Sequence, residues 1–517
     1  MGLVSADIAP MFTRALEHPD DVAIVEPSGT WTWAEAGEAV ARTANALMNV
    51  QLGVGGRVAV IGENAASTLI FSAAAIVAGI GTILVNQYLT PAEIAHMLVD
   101  GNAGLLWADE SHATVAEIAV QKAPDVRLLQ AIAGGEWVKY VAEAPTTAPS
   151  IDRPMDTDLG YTSGTSGRPK GVIVPREPAR TVRERLELAE RHHSVGLGPH
   201  LVAGPLYHGG PHAAVGLLLM GTPVVLIGRF DALRALDAID RHRIATSVMV
   251  PTHFARMLQL DKDDRSRFDV TSLRLVVHTG SPCPEVVKRA MLEWFGPILR
   301  ETYGGIESGV IAGIDTAEWL DHPGSTGRAV PPYELMILHE NHTECDIGED
   351  GLVFVRDPTG VGITYRNDPE KTAAAHISPG VFTLGDYGHL DSEGYLYLTT
   401  RRDDLVLSGG VNVYPAEAEA TLLEHPAVTD SACIGVPDDD LGEHLIGVVT
   451  VSDSSVSAND ILAFCRMQIA RHKVPRELHI VATIPRNAMG KVERNLLRTE
   501  YAADQTAHDK ERRDPDA

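Results

Sequence analysis

The chain has 517 residues and a formal charge of −26, from 43 Lys and Arg against 69 Asp and Glu. That acidity excludes nucleic-acid binding driven by counterion release and attraction to anionic membrane surfaces. With 44% apolar, 22% charged and 5% aromatic residues, it reads as a soluble globular α/β protein, not a fibrous, disordered or disulfide-stapled one.

No basic segment followed by an apolar run precedes Arg14, so no secretory signal is expected. The longest apolar stretch, Leu69 to Val85, carries Ser72, Thr82 and the breakers Gly79 and Gly81; it predicts a buried helix, a turn and a strand at Gly81 to Val85, not a membrane span. β-branched runs alternate with helical patterns at Arg57 to Ile61, Gly81 to Val85, Thr222 to Ile227, Ala245 to Val250 and Leu273 to His278. This rhythm predicts mostly parallel sheets covered by helices, with ligands at strand-to-helix turns such as Thr279 to Pro284.

After about Gly380 short strands and tight turns predict a small β unit, with Asp391 to Gly394 separating Val381 to Leu384 from Tyr395 to Leu398. Beyond it come a helix from Pro415, strands near Val428 to Val436 and Leu445 to Val451, a helix capped by Ser457 with Asp460, and the strand Leu478 to Ile484. The expected fold is α/β: a large lobe over residues 1–402 and a small, mobile α+β lid over 403–503. The polar tail 504–517 is expected to be disordered. The four cysteines, Cys283, Cys345, Cys433 and Cys465, form no CxxC pair, which fits a reducing cytoplasm better than a zinc knuckle or a disulfide framework.

Chemistry concentrates in Tyr161-Thr-Ser-Gly-Thr-Ser-Gly-Arg-Pro-Lys-Gly171. Gly164, Gly167 and Gly171 allow close backbone approach to an anion, Thr162, Ser163, Thr165 and Ser166 add hydroxyl donors, and Lys170 supplies charge. The spacing is not that of a Walker loop, and Gly171 stands where the magnesium-binding hydroxyl would follow the lysine. His208 and His212 lie four apart, but the intervening Pro211 and the lack of an adjacent carboxylate argue against a metal pair.

With Pro205-Leu-Tyr-His208, Tyr303-Gly-Gly-Ile-Glu307, Gly385-Asp386, Arg401, Ser408-Gly-Gly-Val-Asn-Val-Tyr-Pro415 and Pro485 to Lys491 following in order, the chain resembles the adenylate-forming superfamily of acyl-CoA synthetases, peptide-synthetase adenylation domains and luciferases. The resemblance runs over nearly the whole length. It implies ATP, Mg2+ and coenzyme A as reactants and cofactor, and a carboxylic acid as substrate. Tyr303 and Gly304 would meet the adenine together with Gly280 and Ser281, Asp386 and Arg401 the ribose, and Glu307 the metal. Lys491 would neutralise the α-phosphate, while Lys170 and the hydroxyl loop hold the outer phosphates. Ile306 stands where the family has Thr, so that α-phosphate contact is expected to be lost or taken over by Ser308.

His208 resembles the residue at the mouth of the family's acyl pocket, and Gly209, Gly210 and Gly305 near it either leave that pocket roomy or serve backbone turns; by the same resemblance Asp403 is the interdomain hinge, and Ser408, Gly409 and Gly410 line the pantetheine channel. The reading is a two-step acid:CoA ligase for a medium-length fatty, branched or ring-bearing acid. An aryl-CoA ligase, an acyl-AMP ligase loading a carrier protein and a nucleotide-binding regulator without catalysis are the alternatives. A homodimer is one permitted assembly.

Overall fold

The computed structural model describes residues 7–501 apart from residue 51 and residues 53–55, 164–168, 174–180, 192–193, 402–403, 409–410, 439–441, 470 and 488–489. A large N-terminal region is built on two sheets. In the first, the strands Val22–Glu26, Val224–Leu226, His200–Val202, Thr246–Met249, Leu275–His278 and Leu299–Gly305 lie side by side and parallel, with antiparallel strands at both edges. In the second, Arg127–Ala131, Ala103–Asp109, Arg57–Ile61, Thr82–Leu84 and Leu159–Ser163 are parallel, and Pro169–Ile173 and Thr364–Tyr365 extend it antiparallel.

The apolar run that invited a membrane reading is the helix Ala66–Val77, in which only Ser67 is exposed, followed by a turn at Gly79 and the strand Thr82–Leu84. It packs against strands of both sheets and against the helices Trp33–Met48 and Gly209–Leu219. A helix this apolar must be covered on most sides, and each fully buried Leu or Phe there contributes about 1.5–3 kcal/mol. Among the described residues no helix is long and apolar enough to cross a membrane.

A third sheet, antiparallel, joins Glu334–Leu338, Gly351–Arg356, Val381–Leu390, His376–Ser378 and Leu396–Arg401. The small β unit therefore begins near Glu334, not Gly380. Its first two strands carry the continuous apolar runs Leu-Met-Ile-Leu and Leu-Val-Phe-Val, which do not differ in pattern from the buried parallel strands before them. Nor does Asp386 follow a short strand: Val381–Leu390 runs straight through it. The bend at Gly385, with φ 83°, coincides with a register shift against Gly351–Arg356.

The smaller C-terminal region holds a five-stranded sheet of Val406–Ser408, Val411–Val413, Val428–Asp438, Gly442–Val451 and Glu477–Ile480, packed against the helices Pro415–Leu423 and Ala458–Gln468. The latter opens with the reciprocal Ser457 and Asp460 cap.

Candidate active site

The wall expected to meet the adenine is assembled at the ends of two adjacent parallel strands. Leu275–His278 runs into the turn Thr279 to Ser281, and the Thr279 hydroxyl donates to the Thr302 carbonyl at 2.9 Å, tying that turn to the strand that carries Tyr303. Gly280 and Ser281 are exposed. Tyr303 is buried, and its hydroxyl donates to Asp386 Oδ2 at 2.6 Å, bringing together two residues 83 positions apart. Gly304 tolerates no side chain, because a Cβ would lie 2.0 Å from the Gly309 carbonyl oxygen. Asp386 stands opposite Arg401 across two strands.

Behind this wall lies an ionic cluster that sequence reasoning did not find. Lys288 Nζ is 2.6 Å from Glu301 Oε2, both almost wholly buried, and His278 Nε2 is 3.6 Å from the same oxygen. The ammonium also sits 4.5 Å over the Trp319 ring. Burial pushes the Glu301 carboxyl up, against the pull of Lys288, and pushes the His278 imidazolium well down. His278 and Glu301 are register partners on the two strands whose ends bear the Thr279 turn and Tyr303. Breaking a buried pair of this kind costs about 3–5 kcal/mol, so the cluster fixes the ends of both strands.

Glu307 lies at the tip between the strands Leu299–Gly305 and Gly309–Asp315, its Oε2 2.6 Å from where a Cβ on Gly305 would be. Gly305 is thus the floor under this carboxylate. A lone carboxylate suits magnesium, which takes one or two protein carboxylates and fills its other positions with phosphate oxygens and water. Ser308 does not replace the missing threonine: it is buried, its hydroxyl donates to Gly309 O at 3.0 Å and accepts from Gly305 N at 3.2 Å. Ile306 packs its apolar side chain against the cluster that includes Tyr303 and Leu396.

The hydroxyl-rich segment is the connection of an antiparallel hairpin in which Thr162 pairs with Lys170. Gly164, Thr165, Ser166 and Gly167 lie outside the described residues, as do the side chains of Thr162, Ser163 and Arg401. Lys170 Nζ is 3.8 Å from Asp368, the N-cap of the helix Pro369–Ala374, and both groups are partly exposed. Such a pair is weak enough to exchange for a phosphate.

His208 precedes the helix Gly209–Leu219, its ring 4.4 Å from that of Tyr207. Burial and, secondarily, the charge of Lys491 lower its pKa to about 4. A Cβ on Gly209 would meet nothing within 4 Å, whereas one on Gly210 would come within 3.1 Å of Val248. Only Gly209 of this pair opens space. His212 directs its Nδ1 at the Leu206 carbonyl at 3.2 Å.

Lys491 reaches this cleft from the C-terminal region, with its Cε 3.7 Å from the Cβ position of Gly280. Its turn is held locally by Asn487, whose Oδ1 accepts from Lys491 N at 3.0 Å, and by Arg486, which donates to Gly490 O at 2.6 Å and pairs with Asp430. Thr252, absent from the sequence-based set, donates to Gly490 O at 2.8 Å. Nothing in the dipeptide Pro251-Thr252 signals a docking role, since the contact spans 238 positions. Ser408 ends its strand half-buried beside Gly442. Asp403, Gly409 and Gly410 lie outside the described residues.

The fold thus brings Tyr303 to Asp386, and Lys491 of the C-terminal region to Gly280. The model of the AMP-binding enzyme family matches residues 11–365, and that of the AMP-binding enzyme C-terminal domain matches residues 417–491. The chain belongs to the AMP-binding enzymes, within the adenylate-forming superfamily of acyl-CoA synthetases. It is 31% identical over 493 residues to a 2-succinylbenzoate–CoA ligase of Bacillus licheniformis, covering 94% of this chain and 98% of that one. Over 367 residues it is 34% identical to a 3-[(3aS,4S,7aS)-7a-methyl-1,5-dioxo-octahydro-1H-inden-4-yl]propanoyl:CoA ligase of Rhodococcus jostii, covering 69% and 68%. Among solved structures it resembles the o-succinylbenzoate–CoA synthetase of Bacillus subtilis in complex with ATP and magnesium, with a TM-score of 0.76, 28% identity and 94% and 98% coverage. The chain is an AMP-forming acid:CoA ligase that uses ATP, magnesium and coenzyme A.

Proposed function

We propose that the chain activates a ring-bearing carboxylic acid and that its residues act in the following roles. In the first half-reaction a substrate carboxylate oxygen attacks the α-phosphorus of ATP, and the bond to pyrophosphate breaks. Tyr303, Gly304, Gly280 and Ser281 hold the base, Asp386 and Arg401 the ribose, and Lys170 with the Thr162 to Gly167 hydroxyl and amide donors the outer phosphates. Lys491 neutralises the charge that develops on the α-phosphate, which is electrostatic stabilisation of the transition state. Glu307 would hold Mg2+, whose chemistry is charge neutralisation on the phosphates. Positioning and charge do the work without a protein nucleophile.

In the second half-reaction the residues after Asp403 turn as a lid, Lys491 leaves the cleft, and Ser408, Gly409 and Gly410 come to the pantetheine path. The CoA sulfur attacks the acyl carbon, and AMP leaves with the bonding electron pair. Lids of this type turn on a few backbone angles. We place the boundary of the two domains at residues 402 and 403. The free state of all four cysteines suits a cytoplasmic setting.

The single observation that supports the adenylation roles most directly is Lys491 lying over Gly280 in the cleft that also holds His208. The ring-bearing substrate is supported by the open space at Gly209 and by the acids named for the two relatives. Its test is AMP formation with ATP and CoA over a panel of aryl, arylalkyl, fused-ring and straight-chain acids. The expected result is the highest kcat/KM on a ring-bearing acid; preference for a straight chain would reject it.

A further inference from the structure

The hairpin connecting Glu334–Leu338 to Gly351–Arg356 carries a donor set that no step above uses. His339, Cys345 and Glu349 each offer a ligand atom, and these atoms lie within 4.8 Å of one another. We propose that the three residues bind a divalent transition-metal ion of zinc-like preference, with a fourth position left to water.

Geometry supports the set. His339 Nε2 and Glu349 Oε2 are 3.6 Å apart, near the roughly 3.4 Å edge of a tetrahedron built on zinc bond lengths. The backbone around them is fixed: His339 N donates to Thr343 O at 2.9 Å, Cys345 N to Ile337 O at 3.0 Å, and Leu338 and Glu344 form a β-bridge. The Glu349 carboxylate is oriented by the Asp346 amide, which donates to its Oε2 at 2.9 Å, the kind of outer contact that sets a ligand's direction.

Charge and softness support it as well. One thiolate and one carboxylate neutralise a dication, and the thiol proton that the metal displaces passes to solvent. Asp346 and Asp350 lie close enough to Cys345 to act on it electrostatically, and they add to the local attraction for a cation. Sulfur and imidazole donors select zinc-like ions, whereas the lone carboxylate Glu307 suits magnesium, so the two metals sort to different places. A bound ion would clamp the turn that leads into Gly351–Arg356, the strand paired with Val381–Leu390, on which Asp386 sits.

Co(II) titrated into the full chain under excess Mg2+ tests this. One equivalent should give a thiolate-to-cobalt band in the near ultraviolet and tetrahedral bands in the visible, both abolished by added Zn(II). Cys345→Ser should lose the near-ultraviolet band while keeping its acid-dependent ligase activity, which shows that it folds. His339→Gln, a second variant that leaves the thiol in place, should weaken cobalt binding by about 10- to 100-fold, a loss no smaller than that of an outer-shell contact. A near-ultraviolet band that persists in Cys345→Ser, its absence from the unmodified protein, or unchanged affinity in His339→Gln would each overturn the proposal.

Discussion

The Thr252 hydroxyl donates to the carbonyl of Gly490 at 2.8 Å, so the N-terminal turn of the helix Pro251–Leu258 holds the residue that precedes Lys491. Gly490 adopts φ 74°, and a Cβ there would come within 2.6 Å of the same hydroxyl. Large-domain helix and lysine turn are fitted to each other in the arrangement that puts Lys491 over Gly280. Thr252→Val keeps the shape and deletes the donor, while Arg486 still satisfies the carbonyl. Loss of one net hydrogen bond predicts acid-dependent pyrophosphate release slowed about two- to tenfold, with thioester formation from supplied acyl-adenylate unchanged and Thr252→Ser near normal. Equal slowing of both half-reactions in Thr252→Val would show a general defect instead.

Lys491→Ala removes the charge that the proposed function directs at the α-phosphate. Losing a preorganised electrostatic partner of this kind costs about 100- to 1,000-fold, and the loss should fall on pyrophosphate release alone. CoA thioester formation from the isolated acyl-adenylate should persist. Comparable damage in that second assay would remove Lys491 from its role.

His208 is held near a pKa of about 4, first by burial and then by Lys491. Because its ordinary value of about 6.5 applies in the unfolded chain, the unfolded state binds more protons between those values. The His208 contribution therefore makes stability fall as pH drops from about 6.5 through about 4. Lys491→Met should raise the His208 pKa while burial keeps it below the ordinary value. A histidine-resolved NMR titration measures this, and an unmoved pKa would mean that Lys491 does not act on His208.

Gly209→Leu fills the open space beside His208 without disturbing the helix start. A side chain there should lower kcat/KM for ring-bearing acids about tenfold or more while sparing a short acid such as acetate. Steady-state kinetics on the pair of substrates decide it; parallel losses on both would place the acyl pocket elsewhere.

Local sequence carried the periodicities and the order of the motifs. The mostly apolar helix at Ala66–Val77, the Ser457 cap and the alternation of strands and helices depend on side-chain patterns a few residues long, which backbone geometry reads directly. The proposed phosphate loop in a chain of charge −26 was legible for the same reason, since glycines, hydroxyls and Lys170 lie within one short segment.

Only the tertiary structure decided which of these residues meet. It set Asp386 inside a strand under the Tyr303 hydroxyl, turned the Ser308 hydroxyl into its own loop, separated the open Gly209 from the packed Gly210, and brought Thr252 to Gly490. It also built the buried Lys288, Glu301 and His278 cluster from a helix and two strands. Apart from the local turn at Ser308, such contacts are properties of sheet register and domain docking, where the partner lies tens to hundreds of residues away and its identity leaves no mark on the local pattern.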